Sequence, residues 1–539
     1  MRRKKDTIPP GYGRLLDAWI PPVHAGEALG CLATTFTFHP SFFETECLSR
    51  MLQLESDPDD NTAQYLLERE EKMAQMMSAT VVVDQSHARG SRSLRWDLIP
   101  FRASDGILHA KLSILLWQHH ARVIVGSANL TENGYRQNLE VFTVWDFSRD
   151  GGWPVELFES ARSYAVDVLA HCRSRNPGTS PALDRAEALL KTARARVSAW
   201  PSTSSRIRSV LVPLSPKTSS VFDQIQDRWP GNSRADTLKV LSPFFDPSEV
   251  NHPGLEAWSL LRKRGRKQVH YSVTTEEIDA AGKIQVNAPS SLSDSVPASL
   301  DDARLRFDRI KGLDGRPLHA KCLRLEGGGH FLHLVGSSNF TSAGLGLKKG
   351  GHQNWELNVV SWAKLDSSGD QKAHDAAWPL LEREPLDPNK VNWQPVDSYE
   401  DESDPDVALL PAWCGSAVFY LGEKGESTLE LNFAGKPPGH WSIRDESQQT
   451  VILDTRTWQA SGSRMITKRE WKELRPPTEL GVRWGESLIE ARWPVEVRTF
   501  ADLPPPLELR DLSLEQLLEI LTSALPLHRC LSRNDAEGN

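Results

Sequence analysis

Residues 108–131, LHAKLSILLWQHHARVIVGSANLT, are echoed at 318–341 by LHAKCLRLEGGGHFLHLVGSSNFT. A repeat at a separation of roughly 200 residues marks an internal duplication and constrains the chain to two similar halves. The flanking elements repeat as well. CLATTFTF (31–38) reads as a buried strand followed by the helical SFFETECLSRML, and TLKVLSPFF (237–245) as a strand followed by the helical GLEAWSLLRKR. LRWD (94–97) and LRFD (305–308) predict a further strand ahead of each histidine. The pairs KLSILLW/RVIVG and KCLRL/FLHLVG predict two strands after it.

At 539 residues the chain exceeds what one core supports, so several domains are expected. Residues 1–29 read as an N-terminal arm, 30–203 as the first half and 204–385 as the second, with WPSTSSRIRS (200–209) as the joint. Two amphipathic helices, 154–175 and 182–200, close the first half. An acidic linker is expected over 386–406, since six of the ten residues of DSYEDESDPD (397–406) are acidic. Residues 407–505 alternate in short apolar segments (SAVFYLG, STLELNF, TVILDTRTW, SLIEARWPVEV) between turn residues, the pattern of a β-sandwich. Seven of the 18 tryptophans lie between 393 and 493 and are assigned to its core. The region 506–539 holds SLEQLLEILTSALPL (513–527), an amphipathic helix that either caps the sandwich or docks a partner protein.

The net charge of −8 gives no global field for nucleic acid, although an enzyme can confine positive charge to one groove. The six cysteines show no CxxC pairing, which argues against a structural zinc site or a disulfide framework. MRRKKDTIPPGYG does not continue into an apolar core as a signal peptide would, and no run approaches 18 apolar residues. A cytoplasmic protein without a membrane span is expected.

Each repeat carries H-x-K, His109-x-Lys111 and His319-x-Lys321, and an asparagine 20 residues after the histidine, Asn129 or Asn339. The asparagines sit in GSANLT (126–131) and GSSNFT (336–341), behind Ser127 and Ser337. An N-x-E follows in both copies, ending in Glu140 and Glu356. Strand alternation turns each His and its Lys to one face. Such groups can hold and attack a phosphodiester: lysine supplies charge, and Ser and Asn supply directed donors. One histidine can be a nucleophile, a second can move the proton of the leaving oxygen, and a carboxylate on the far ring nitrogen fixes the tautomer. One H-x-K alone is weak; two copies agreeing at every one of these positions are specific.

Together these motifs resemble the phospholipase D superfamily over roughly residues 30 to 380. Its H-x-K-x4-D aspartate is replaced here by Leu116 and Glu326, which looks more like the tyrosyl-DNA phosphodiesterase branch. A glutamate in both halves, where that branch usually has a glutamine at the position of Glu140, is more like the nucleases and lipases. The resemblance implies an α/β fold of two pseudo-symmetric α/β/α halves meeting at one site, with the C-terminal sandwich-like domain and terminal helix added. It implies His109 as nucleophile, His319 as acid and base, and Lys111, Lys321, Asn129 and Asn339 as phosphate ligands. The glutamates are implied to cross over, Glu356 to His109 and Glu140 to His319. No metal and no cofactor are implied.

Other features carry less. His119, His120, His330, His333 and His352 match no ligand set and are expected as satisfied or surface residues. RKRGRK (262–267) reads equally as a solvated helix end or a phosphate-tracking patch. Lys348 and Lys349, in an insertion beside the second motif, are the better candidates for contact with a nucleic-acid backbone. The leading expectation is a metal-independent phosphodiesterase acting on DNA or RNA, as nuclease or end-processing enzyme. A phospholipase or phosphatidyltransferase would call for an amphipathic or spanning segment that the first two hundred residues do not show. The third reading is a nucleic-acid-binding subunit, with the C-terminal region recruiting an ATPase or helicase in a bacterial defence or repair assembly.

Overall fold

A computed structural model of the chain describes residues 13–504 except 57–62, 91, 177, 204–206, 248, 277–282, 314, 348–352, 380, 396–407, 423–424, 446–449, 474 and 486–489, together with Leu518 and Thr522. The helix expected at 513–527, the acidic run 397–406, His352, Lys348 and Lys349 therefore fall outside the described residues, apart from Leu518 and Thr522. The chain is mixed α/β with several sheets.

Strands β1 (Ala28–Thr35), β2 (Ser78–Asp84), β3 (Asp97–Phe101), β4 (Lys111–Trp117), β5 (His120–Gly126) and β6 (Phe142–Ser148) form a sheet in the order β3-β2-β1-β4-β5-β6. The pairs β1–β2 and β2–β3 are parallel and the other three antiparallel. Every residue of β2 and β4 is buried, because both faces of this sheet are covered. Alternate residues serve different cores. Leu112, Ile114 and Leu116 pack on one side, and Leu115 and Trp117 on the other.

The second sheet contains β7 (Arg208–Leu214), β8 (Thr237–Leu241), β9 (Lys267–Val273), β12 (Ala303–Lys311), β13 (Cys322–Gly327), β14 (His330–Gly336), β15 (Glu356–Lys364) and β16 (Glu382–Leu386). Its order is β16-β12-β9-β8-β13-β14-β15-β7. The six inner strands, β12 to β15, follow the order and the parallel or antiparallel sense of the first sheet. Three short strands, β10 (Thr275–Glu276), β11 (Ile284–Val286) and β17 (Val391–Trp393), make a small separate sheet.

Helix Val155–Arg175 packs against β3 and β4 of the first sheet and β7 of the second, and helix Pro181–Val197 packs on β1, β2 and β3 of the first. Ser180 caps the second helix by accepting from the Leu183 amide, and Pro181 opens it. Ala186, Leu189, Leu190, Ala193 and Val197 give that helix one buried stripe. A single apolar cluster joins these residues to Leu32 and Leu112 of the first sheet and to Leu241, Cys322 and Leu357 of the second. The halves are therefore fused through a shared core.

C-terminal strands β18 (Cys414–Leu421), β19 (Ser427–Phe433), β20 (Trp441–Asp445), β21 (Val451–Asp454), β22 (Ile466–Glu470), β23 (Glu479–Trp484) and β24 (Glu490–Val497) run in the order β21-β20-β23-β24-β18-β19-β22. Trp413, Trp441, Trp458, Trp471 and Trp493 fill its core with Phe433. Arginines of the first half rivet this unit in place by donating to its backbone carbonyls. Arg92 Nη2 reaches Val495 O at 2.8 Å, Arg95 Nη1 reaches Phe500 O at 2.7 Å, and Arg102 Nη1 reaches Cys414 O at 2.7 Å. Carbonyls that the interface removes from water thereby keep a partner.

Several expectations change. LRWD is not a strand: only Asp97 enters β3, while Leu94 packs among the C-terminal tryptophans and Trp96 in the first half. Two residues of one strand face cannot serve two cores, so 94–96 leave the ladder. The strand expected over 31–38 ends at Thr35, and the one over 237–245 ends at Leu241. SFFETECLSRML is helical but passes through a π-helical turn, Phe43–Leu48. The helix expected in GLEAWSLLRKR stops at Leu260. The linker does not begin at 386, because β16 and β17 still pair with the second half and Trp393 packs there. TRTW of TVILDTRTW is helical, capped by Asp454 accepting from the Thr457 amide. The expected N-terminal arm is partly core, with Leu15, Leu16 and Trp19 buried.

Candidate functional site

The two H-x-K motifs meet because the halves exchange backbone bonds. Leu108 bridges Trp355, and Leu139 bridges Leu318. The amides of His109 and Ala110 both donate to Trp355 O at 2.9 Å, and that of His319 donates to Leu139 O at 3.0 Å. Arg316 adds bonds from its guanidinium to the carbonyls of Gln137 and Asn138. Each histidine of one half thus lies against the segment leading to the glutamate of the other.

Glu356 accepts from His109 Nδ1 at 2.9 and 3.1 Å, and Glu140 accepts from His319 Nδ1 at 2.8 Å. Each carboxylate is held twice more. Ser337 Oγ and Asn354 Nδ2 donate to Glu356, while Ser127 Oγ and Asn138 Nδ2 donate to Glu140. The Ser of GSxN and the Asn of N-x-E therefore orient the carboxylates, and the serines expected to touch substrate are committed to this task. Gly126 permits the approach, since a Cβ there would meet Val141 O at 2.5 Å.

Lys111 Nζ donates to His109 O at 2.7 Å, and Lys321 Nζ donates to His319 O at 2.7 Å. Both ammonium groups act on His109, which places residues of both halves at one locus. Burial pushes His109 down to about 4, with Glu356 opposing and the lysines assisting. Burial alone would raise Glu140 and Glu356, but His319 and His109 respectively, with the lysines and serines, hold each below its ordinary value. At neutral pH the His109 pair is a neutral imidazole on an ionised carboxylate. With Nδ1 engaged in both rings, chemistry falls to Nε2.

The asparagines differ. Asn129 Oδ1 accepts from Thr35 Oγ1 and the Phe36 amide at 3.3 Å and from the Thr37 amide at 3.4 Å. Its amide NH2 is thereby aimed away from these donors. Ser242 takes the place of Thr35, as the bonds Leu130 N to Thr35 Oγ1 and Phe340 N to Ser242 Oγ show, so Pro243 takes that of Phe36. Proline has no N–H. Asn339 Oδ1 is buried without a hydrogen-bond partner among the described residues.

Leu116 and Glu326, seven residues after their histidines, are structural. Leu116 is core, and Glu326 accepts from Lys239 Nζ at 2.9 Å with His374 at 3.2 Å. Against the burial that would raise it, the hydrogen bonds from His374 and Lys239 take Glu326 down to about 2. Of the histidines set aside, His120 bonds Asp146 at 2.7 Å and His333 is buried beside Trp378. Lys267 of RKRGRK is buried and donates to Asp301 O and Lys263 O, so it is no patch residue. Among the described residues no group of His, Cys, Asp or Glu is gathered to hold a metal ion, and no helix is long and apolar enough to cross a membrane.

A chamber of about 960 Å³ opens onto the site. His319 and Asn129 line it, together with His39, His87 and Arg89 of the first half and Glu479, Glu490 and Arg492 of the C-terminal unit. Phe36 and Phe244 flank the histidines, with centroids 5.7 Å from His109 and 6.5 Å from His319. Phe36 and Phe244 are not repeat equivalents, and nothing in the motifs pointed to them or to the C-terminal wall.

No family model and no curated protein sequence matches this chain. Among solved structures it is similar to yeast tyrosyl-DNA phosphodiesterase at 12% identity and a TM-score of 0.39, covering 64% of this chain and 85% of that one. It is also similar to phosphatidylserine synthase of Haemophilus influenzae at 10% identity and a TM-score of 0.37, covering 69% and 84%. A third is polyphosphate kinase of Porphyromonas gingivalis, at 10% and 0.32, covering 74% and 48%.

Proposed function

We propose that the chain is a phosphodiesterase of the phospholipase D type, two like halves sharing one site, and that it acts on nucleic acid through a covalent phosphohistidine. The observation that carries this reading is the reciprocal pairing of His109 with Glu356 and His319 with Glu140. It gives two imidazoles, each with one nitrogen fixed, beside two lysines and a directed asparagine donor. Every role in a two-step displacement is then filled by a protein group, so the chemistry asks for no metal.

His109 Nε2, neutral at physiological pH, attacks phosphorus and forms the P–N bond. The bond to the leaving oxygen breaks, and that oxygen takes a proton from His319 Nε2. His319 then removes a proton from water, the water oxygen bonds phosphorus, and the P–N bond breaks to restore neutral His109. Lys111, Lys321 and Asn129 stabilise charge on the non-bridging oxygens, and Glu356 and Glu140 stabilise the imidazole that becomes cationic in each step.

The test is cleavage of end-labelled single- and double-stranded DNA and RNA in excess EDTA, with a phosphatidyl substrate as counter-screen. Wild type is expected to cut nucleic acid, and His109→Ala and His319→Ala are expected to lose at least about 10³-fold. Full turnover by His109→Ala, or activity confined to the phosphatidyl substrate, overturns the reading.

A further inference from the structure

We infer that the C-terminal unit selects the leaving nucleotide, with β23 and β24 reading an unpaired base through Glu479, Glu490 and Arg492. This rests on the phosphodiesterase reading above. In an in-line displacement the leaving group departs opposite the attacking nitrogen, on the side of the histidine that protonates it. Of the two histidines it is His319 that lines the chamber, so the chamber lies on the leaving side. Its volume of about 960 Å³ falls within the range of pockets that enclose small ligands, and a nucleotide is of that class.

The far wall decides the chemistry. Arg492 Nη1 lies 3.6 Å from Glu490 and 3.9 Å from Glu479. Two carboxylates beside one guanidinium cancel its charge, and Glu490 also pairs with Arg483. Such a surface does not attract a run of phosphates, which needs uncompensated cations. It does present acceptors next to a forked donor, the complement of a base edge that carries both amino and carbonyl groups. Phe244, on the same chamber, offers a face for stacking. A base paired in a duplex has its Watson–Crick edge occupied by its partner, so reading that edge requires a single-stranded leaving nucleotide. The wall is also tied to the first half. Arg92, itself buried, ties the loop carrying Arg89 to the backbone of β24 through Val495 O.

The experiment compares two oligonucleotides that differ only in whether the leaving nucleotide carries a base or is abasic. Wild type is expected to prefer the base-bearing substrate about tenfold in kcat/KM, the discrimination one good polar pair supplies. In Arg492→Ala and in Glu479→Gln this ratio is expected to fall within about twofold of unity, because base and side chain report one interaction. Arg492→Lys, which keeps the charge and loses the fork, is expected to lose most of the ratio while unfolding at the wild-type temperature. A wild type that does not distinguish the two substrates, or variants that keep the full ratio, overturns the inference. Turnover of bis(p-nitrophenyl) phosphate separates the two levels. If wild type hydrolyses it in a His109-dependent way yet ignores the base, only the inference falls. If it hydrolyses neither class of substrate, the phosphodiesterase reading falls as well.

Discussion

Replacing the two buried glutamates one at a time should break the two chemical steps separately. Glu356 is fully buried, accepts from His109 Nδ1 at 2.9 Å and is held by Ser337 and Asn354. Glu356→Gln keeps the shape but removes the charge, and it sets an amide NH2 against one of three donors. Losing a charge-assisted hydrogen bond costs about 1.5–3 kcal/mol, and the unpaired donor adds about 1–2 kcal/mol. The sum of about 2.5–5 kcal/mol corresponds to roughly 10²- to 5 × 10³-fold, at 1.36 kcal/mol per tenfold. That loss falls on attack by His109, so Glu356→Gln should slow phosphoenzyme formation and accumulate none. Glu140→Gln weakens the partner of His319, and the second step depends wholly on His319 taking a proton from water. It should therefore trap more phosphoenzyme than wild type. Rapid-quench single-turnover measurement with ³²P-labelled substrate reads both amplitudes. Equal amplitudes in the two variants, or rates within threefold of wild type, would refute the crossed assignment.

Phosphoenzyme formation should keep its rate down to about pH 5 and fall only near 4, because His109 sits at about 4 instead of its ordinary 6.5. The same depression makes folding stability complete above about pH 6.5 and progressively lost as pH falls toward 4, which urea titration across that window can check. Asn129→Ala should cost about tenfold or more in kcat/KM and Asn339→Ala less, since only Asn129 has its carbonyl anchored; equal losses would contradict that asymmetry. Gly126→Ala should destabilise by about 1–3 kcal/mol through overlap with Val141 O, read as a fall in Tm. Arg92→Ala strands the Val495 and Trp96 carbonyls at about 1–3 kcal/mol each, and should expose the C-terminal unit to limited proteolysis.

The site was far more legible than its walls. His109, Lys111 and Asn129 recur in register as His319, Lys321 and Asn339, Glu140 recurs as Glu356 after a six-residue insertion, and duplication turns a weak motif into a strong one. The serines were legible as repeated positions but not in role: each hydroxyl turns to the glutamate of its own half. LRWD misled because Trp96 and Leu94 satisfy two different cores, which no local pattern records. The boundary at 386 misled because composition changes before the fold does, and β16 and β17 still belong to the second half. Contacts separated by hundreds of residues, such as Arg92 to Val495, leave no periodic trace at all.

The exchange of Leu108 with Trp355 and Leu139 with Leu318 makes the two halves obligate complements. On the proposed mechanism each half alone has one histidine without its carboxylate and lacks the second histidine, so neither can complete the two-step reaction by itself. A chain severed at the joint near residue 200 would yield two inert fragments whose reunion alone restores turnover. That is the logic of a split reporter, and it makes every active molecule a record that both halves have folded.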